Sequence, residues 1–309
     1  ASATETKAFL NKHDITSFLR NIYDHNFKEN VELLQNVIQA SKTLNNQQLG
    51  LLGEVSDWLI ASNIPANVIK DRFGIDLVPI SWNAIPLYKD CEQSKDFDQH
   101  FKVGDKNSLK EASQVHSLLV KTIKDNHLDA ITVECFPLVK KYAVTACLSL
   151  SLLNDRQIPA GCEGDLTSIT GMMFTKALTG KIPWIANINK IGKDRATFAH
   201  CTIPISMLKD YTIPTHFETG QGTAIQGDIK AETFTVFRFD LELKRVFLSI
   251  AQVTNRPKSP NFCRTQIEVL MPEHNLNKLK NYPLGNHHLF MEGDQREVLK
   301  FASEWFGFE

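Results

Sequence analysis

The chain has almost no charge imbalance: 34 Lys and Arg stand against 35 Asp and Glu, a formal net charge of −1. That removes the usual signature of nucleic-acid or anionic-membrane binding, so neither is expected as a partner. No apolar run reaches the length that crosses a bilayer. Residues 1–12 have no apolar stretch of the kind a signal peptide needs. The six cysteines (Cys91, Cys135, Cys147, Cys162, Cys201 and Cys263) form no CxxC pair and show no tight spacing. This argues against a disulfide or zinc framework. Cys135, Cys147, Cys162 and Cys201 lie in apolar runs and read as small buried hydrophobes in a reducing compartment, the cytoplasm. There is no GK[ST] phosphate loop and no GxGxxG after a strand. Internal repeats and low-complexity tracts are missing too.

What remains is an ordinary globular composition, 42% apolar and 22% charged, over 309 residues. That length exceeds one average domain and makes two the default. Helical spacing of apolar residues runs from Ile15 to Lys42, then a buried strand from Gln48 to Glu54. Ile75 to Ile80 reads as a strand, Asp90 to Asp105 as a polar linker, and the region around Ala112 to Ile123 as an amphipathic helix. Ala130 to Cys135 is a β-branched strand that ends beside Glu134. A helix from Tyr142 to Leu153 leads to a short strand at Ile158 to Cys162, followed by a helix from Leu166 to Leu178. Strands alternating with helices predict a parallel sheet. Beyond Trp184 the strand signals follow one another: 197–203, 233–239, 246–253 and 266–270, with few helical signals before Arg296 to Trp305. The expected fold is α/β: a Rossmann-like parallel-sheet portion over 1–184, then a β-rich domain over 185–309. The boundary is placed inside 181–196.

The segment richest in chemistry is Ala160-Gly161-Cys162-Glu163-Gly164-Asp165. It puts two carboxylates where a strand runs into a helix, the place where α/β proteins bind ligands. Asp165 also suits the N-cap of the following helix, and both readings stand at this point. Polar groups in otherwise apolar or glycine-rich surroundings include Asn187, His200 and the His287-His288 pair, whose members point to opposite faces if they lie on a strand. Carboxylate, imidazole and amide oxygen together suit Mn²⁺ or a similar octahedral ion. The polar loop from Thr215 to Gly227 carries His216 and Glu218 among three glycines, equally a ligand loop or a hairpin turn. Arg195, Arg238 and Arg264 are read as surface salt-bridge residues.

Taken in order, Gly50 to Ser62, Thr132 to Phe136, Ala160 to Asp165, Leu178-Thr179-Gly180, Ala199 to Thr202, His216 to Gly220 and Gly285 to His288 resemble the L-fucose isomerase family, in its shorter fucose-isomerase-like branch. The resemblance spans residues 49–309. It implies a divalent-metal aldose–ketose isomerase, usually with Mn²⁺, and a homo-oligomer with active sites shared between subunits. It implies that Glu163 binds the metal and transfers the proton, with Asp165 or Glu134 available for a second transfer. Asn187 falls where the family has a second metal carboxylate, and it cannot shuttle a proton. The third metal ligand falls on His287 or His288, with His288 taken. Glu134, His200, Glu218 and His287 are assigned to sugar binding. Much of the family's N-terminal domain is expected to be missing, since helix precedes the first strand. A sugar-binding protein without turnover is the alternative, with a metal-dependent carbon–carbon lyase third.

Overall fold

The computed structural model describes residues 2–13 and 15–309. Its helices are Ser2–Lys12 (α1), Phe27–Leu44 (α2), Ala66–Phe73 (α3), Lys95–His100 (α4), Lys106–Asp125 (α5), Phe136–Tyr142 (α6), Cys147–Asp155 (α7), Leu166–Thr179 (α8), Glu273–Asn281 (α9) and Arg296–Phe306 (α10). Four strands, Gln48–Leu52 (β1), Asp76–Ile80 (β2), Ala130–Val133 (β3) and Ala160–Cys162 (β4), form a parallel sheet in the order β2-β1-β3-β4. The remaining strands are Trp184–Ile191 (β5), Arg195–His200 (β6), Leu208–Thr212 (β7), Gln226–Ile229 (β8), Thr233–Phe239 (β9), Val246–Asn255 (β10), Thr265–Leu270 (β11) and His287–Glu292 (β12). Six of them close an antiparallel barrel in the order β10-β11-β6-β5-β12-β9, and β7 pairs separately with β8. The chain is thus mixed α/β, a parallel sheet with separate antiparallel sheets.

Several sequence expectations need correction. Residues 15–26 are not helical; α2 starts at Phe27. The expected helix from Tyr142 to Leu153 starts only at Cys147: Tyr142 is the last residue of the preceding helix α6, which ends where Ala143 adopts a left-handed φ of 60°. The linker 90–105 contains α4, capped by the Ser94 side chain accepting from Phe97 N. The polar helix α9 carried too few apolar residues to show periodicity, yet it buries Leu276 and Leu279.

Helix α8 positions the site. Asp165 is its N-cap, accepting from Ser168 N at 2.7 Å, and Gly180 ends it in the left-handed conformation. From Leu166 to Thr175 every residue of α8 is buried, because the helix is wedged between two layers. Leu49 and Ala130 of the sheet, Ile169, Met172 and Phe174 of α8, and Phe237 and Leu289 of the barrel share one core. Gly171 permits the close approach: a Cβ there would stand 2.7 Å from Leu289 Cδ1. Each fully buried Leu, Met or Phe in this wedge contributes about 1.5–3 kcal/mol of transfer free energy.

The barrel strands divide their side chains between two cores with a period of two. Ile185, Phe237, Phe239, Leu289 and Met291 face α8. Trp184, Ala186, Phe234, Val236 and Phe290 fill the other core, inside the barrel. A second layer of helices, including α5 and α7, covers the far face of the parallel sheet through Val115, Leu119 and Leu150.

Candidate functional site

The site lies where the carboxyl ends of β3 and β4 meet the barrel wall. β4 ends at Cys162, and the chain turns through Glu163 and Gly164, both left-handed with φ of 63° and 68°. A side chain at Gly164 would collide with the Glu54 carbonyl oxygen, so the turn needs glycine there. Glu163 has no such freedom. A non-glycine residue in this region costs on the order of 1–3 kcal/mol and concentrates at functional sites. Its backbone is held by Ser56 N donating to Glu163 O at 3.0 Å and Gly164 N to Val133 O at 3.1 Å.

The Glu163 carboxylate is shared by three groups. Trp58 Nε1 donates to Oε2 at 2.7 Å. His287 Nε2 lies 3.8 Å and His200 Nε2 4.0 Å from Oε1. Both histidines are buried, and among the described residues neither Nε2 has a hydrogen-bond partner. Ligand atoms of Cys162, Glu163 and His200 fall within 4.8 Å of one another. Two orphaned imidazole nitrogens aimed at one carboxylate oxygen are the donor set a divalent cation takes.

The other nitrogen of each ring is occupied. His287 Nδ1 is 2.8 Å from Asp165 Oδ2. Asp165 is held down to about 2, its burial outweighed by the hydrogen bond from His287 and the charge of Arg238. An ionised carboxylate only accepts, so His287 Nδ1 carries a proton, and Nε2 is the nitrogen turned toward Glu163. His200 Nδ1 lies 3.0 Å from Thr202 Oγ1. Burial and the neighbouring His287 push His200 well below its ordinary range, so it is neutral. His287 moves the other way: burial lowers it, but Asp165 and Glu163 outweigh burial and raise it.

Two assignments made from sequence are corrected by this geometry. Asp165 is completely buried. Its oxygens are taken by Ser168 N, Ser168 Oγ and His287 Nδ1, with Arg238 Nη1 at 4.0 Å. It has no exposed surface for a substrate to reach. His288 is not a metal ligand beside Glu163. It sits on the opposite face of β12, edge-on to Phe247 and Phe198 at ring distances of 5.2 and 6.0 Å. Burial, chiefly, and Arg238 hold it at about 3.

The remaining residues divide. Asn187 stands opposite His287 in the β5–β12 ladder, and its Oδ1 accepts from Asn286 Nδ2 at 2.6 Å. Directly paired strand residues project to one face, so Asn187 shares the His287 side. Glu134 follows β3, and its Oε2 accepts from Glu54 N at 3.0 Å, tying two strand ends together. Glu218 is on a turn of the loop between β7 and β8. Partial burial and the charge of Glu163 raise its pKa, which puts the two carboxylates in each other's field.

Sequence reasoning missed Trp58 and Phe136 as site walls; their rings meet edge-on at 4.8 Å. It also misread Arg238, which is 2% exposed. Arg238 donates to the His287 carbonyl at 2.6 Å, the Ala61 carbonyl at 3.0 Å and Ser62 Oγ at 3.1 Å. The signal was available: a lone arginine within Thr233 to Phe239, an otherwise apolar strand, has to point at something polar. Arg195 does pair at the surface, with Glu268 at 3.3 Å. Arg264 instead donates to the Thr215 carbonyl at 2.7 Å. A scan against protein-family models finds no match, and no curated protein matches the chain.

Proposed function

We propose that the chain is a metal-dependent aldose–ketose isomerase related to L-fucose isomerases, moving a proton between C1 and C2 of a free sugar through an enediol. The single observation that carries this reading is the convergence of His200 Nε2 and His287 Nε2, both unpartnered, on Glu163 Oε1 at 4.0 and 3.8 Å. The order of architectures, a parallel sheet followed by an antiparallel barrel, is consistent with the fucose-isomerase-like arrangement. Glu163, His287 and Asn187 would hold the cation, with His200 as a further ligand or a sugar contact. A bound Mn²⁺ or similar divalent ion supplies Lewis acidity toward two adjacent sugar oxygens.

Everything else falls to the chain's own residues. Glu163 takes the carbon-bound proton and returns it to the neighbouring carbon. Its strained turn fixes the carboxylate, and Trp58 holds Oε2 so that Oε1 faces the histidines. Asp165 fixes the tautomer of His287, and Arg238 braces both. Trp58 and Phe136 would offer aromatic surface to the sugar's C–H groups. Glu218, which lies in the field of Glu163, is a candidate for the second proton-transfer group that Asn187 cannot supply.

A homo-oligomer is part of the same reading: Ile60, 85% exposed, and Tyr23, 87% exposed, offer apolar surface for a partner subunit. The six free cysteines suit a reducing compartment, so the cytoplasm is the proposed location. The test is a panel of aldoses and ketoses with added Mn²⁺ in D₂O, read by NMR. Deuterium entering at C1 or C2 supports the isomerase. Sugar binding without any exchange would replace it with the binding-protein reading, which the amide at Asn187 favours.

A further inference from the structure

Beyond the Glu163 site lies a second group of metal-binding side chains. Cys147 opens α7, Cys201 follows β6, and His216 lies in the loop between β7 and β8. These three come from remote parts of the sequence. Their ligand atoms nevertheless fall within 4.8 Å of one another, and all three residues are buried. The two sulfurs are 3.3 Å apart.

We propose that Cys147, Cys201 and His216 form a binding site for a thiophilic cation, Zn²⁺ being the expected occupant. The donor set is soft, two sulfurs and one imidazole, and so chemically distinct from the carboxylate-containing set around Glu163. His216 is prepared for the role: its Nδ1 lies 3.2 Å from Thr219 Oγ1, which leaves Nε2 as the coordinating nitrogen. Tetrahedral zinc with Zn–S bonds of about 2.3 Å places two sulfurs about 3.8 Å apart. Loading therefore requires the thiols to separate by about half an ångström, and the imidazole to close on them. Binding releases both thiol protons to solvent, and the thiolate charges are balanced by the cation.

The site would clamp three elements. The β7–β8 loop is already tied to the segment just before α7, where Thr223 N donates to Thr145 Oγ1 at 2.9 Å. A zinc held by Cys147, close by in the chain, would pin the same loop through His216. That loop carries Glu218 toward Glu163, so the metal would set the shape of the site mouth without taking part in proton transfer. His216 retains 7% exposure and marks the side from which an ion arrives.

The test uses Co²⁺ as a spectroscopic stand-in for Zn²⁺, titrated into the reduced, metal-stripped full chain. The expected result is a thiolate-to-cobalt charge-transfer band in the near ultraviolet, reaching its limit at one ion per chain and removed by Zn²⁺. Cys147→Ser and Cys201→Ser should each abolish the band. His216→Gln should lower Zn²⁺ affinity by more than the roughly 10–100-fold that loss of a mere supporting group costs. Glu163→Gln should keep the band, which separates this proposal from the isomerase reading. A band absent from the parent protein, or one that survives Cys147→Ser and disappears in Cys162→Ser, overturns it. Should the serine variants not fold, X-ray absorption on the Zn²⁺-loaded parent decides: two sulfur ligands support the site and none refutes it.

Discussion

The two faces of the barrel wall differ in kind. Inside, Trp184, Phe198, Phe234 and Phe290 close over one another, with Phe198 and Phe290 rings 4.7 Å apart. Outside, the wall turned toward α8 is equally apolar until it reaches His287, where the aliphatic packing gives way to Asp165 and Glu163. One strand supplies both, since His287 and His288 are neighbours on β12 with opposite directions. Two histidines with the same sequence context thus have different chemistry. His287 has an ionised carboxylate on one nitrogen and turns the other toward a second carboxylate. His288 has aromatic rings.

The largest test of this contrast is at Glu163. Glu163→Gln keeps the shape and the acceptor for Trp58 but removes the basic group. Turnover should fall by on the order of 10²–10⁴, as general-base loss does, with deuterium incorporation at C1 or C2 as the measure. An unchanged rate would move the base elsewhere, with Glu218 first in line.

Asp165→Asn probes the outer face one layer back. It leaves the buried Arg238 without its carboxylate and His287 without a fixed tautomer. Breaking a buried ion pair from one side costs roughly 3–5 kcal/mol, to be read from urea unfolding. Mn²⁺ affinity should drop about 10–100-fold as well. A variant as stable as the parent would mean that Asp165 is a helix cap and little more.

The histidine pair itself can be separated by pH. His288 is held at about 3 in the folded chain against an ordinary 6.5, because it is buried among aromatic rings. The unfolded chain takes up a proton below 6.5 and the folded chain does not. Stability is therefore lost as pH falls from 6.5 toward 3, at about 1.4 kcal/mol per pH unit. His288→Phe should remove the His288 share of that loss, leaving the shares of the buried His116 and His200, and should leave Mn²⁺ binding intact, whereas His287→Phe should abolish binding. Urea midpoints at about pH 7 and pH 5, above and within that window, read the first effect and calorimetric titration the second. Metal loss in the His288 variant would erase the distinction drawn between the two faces. The smallest effect is expected at Asn187→Asp. A second carboxylate on the His287 side should tighten Mn²⁺ binding modestly, and a weaker affinity would place Asn187 outside the metal's reach.

The sequence alone determined a good deal of this. The alternation of strands and helices before Trp184, and the run of strands after it, follows from apolar periods of 3.6 and 2, which need only local composition. Gly-Cys-Glu-Gly-Asp located the strand-to-helix turn because glycine and a capping aspartate mark such turns wherever they occur. Closure of the barrel, the wedging of α8 between sheet and barrel, and the face each β12 histidine presents were decided by tertiary structure. A one-residue change of register would exchange His287 with His288 without altering any local preference. Arg238 and the Cys147–Cys201–His216 group were hidden for the same reason. Their partners come from far along the chain, and packing alone sets which distant side chains meet.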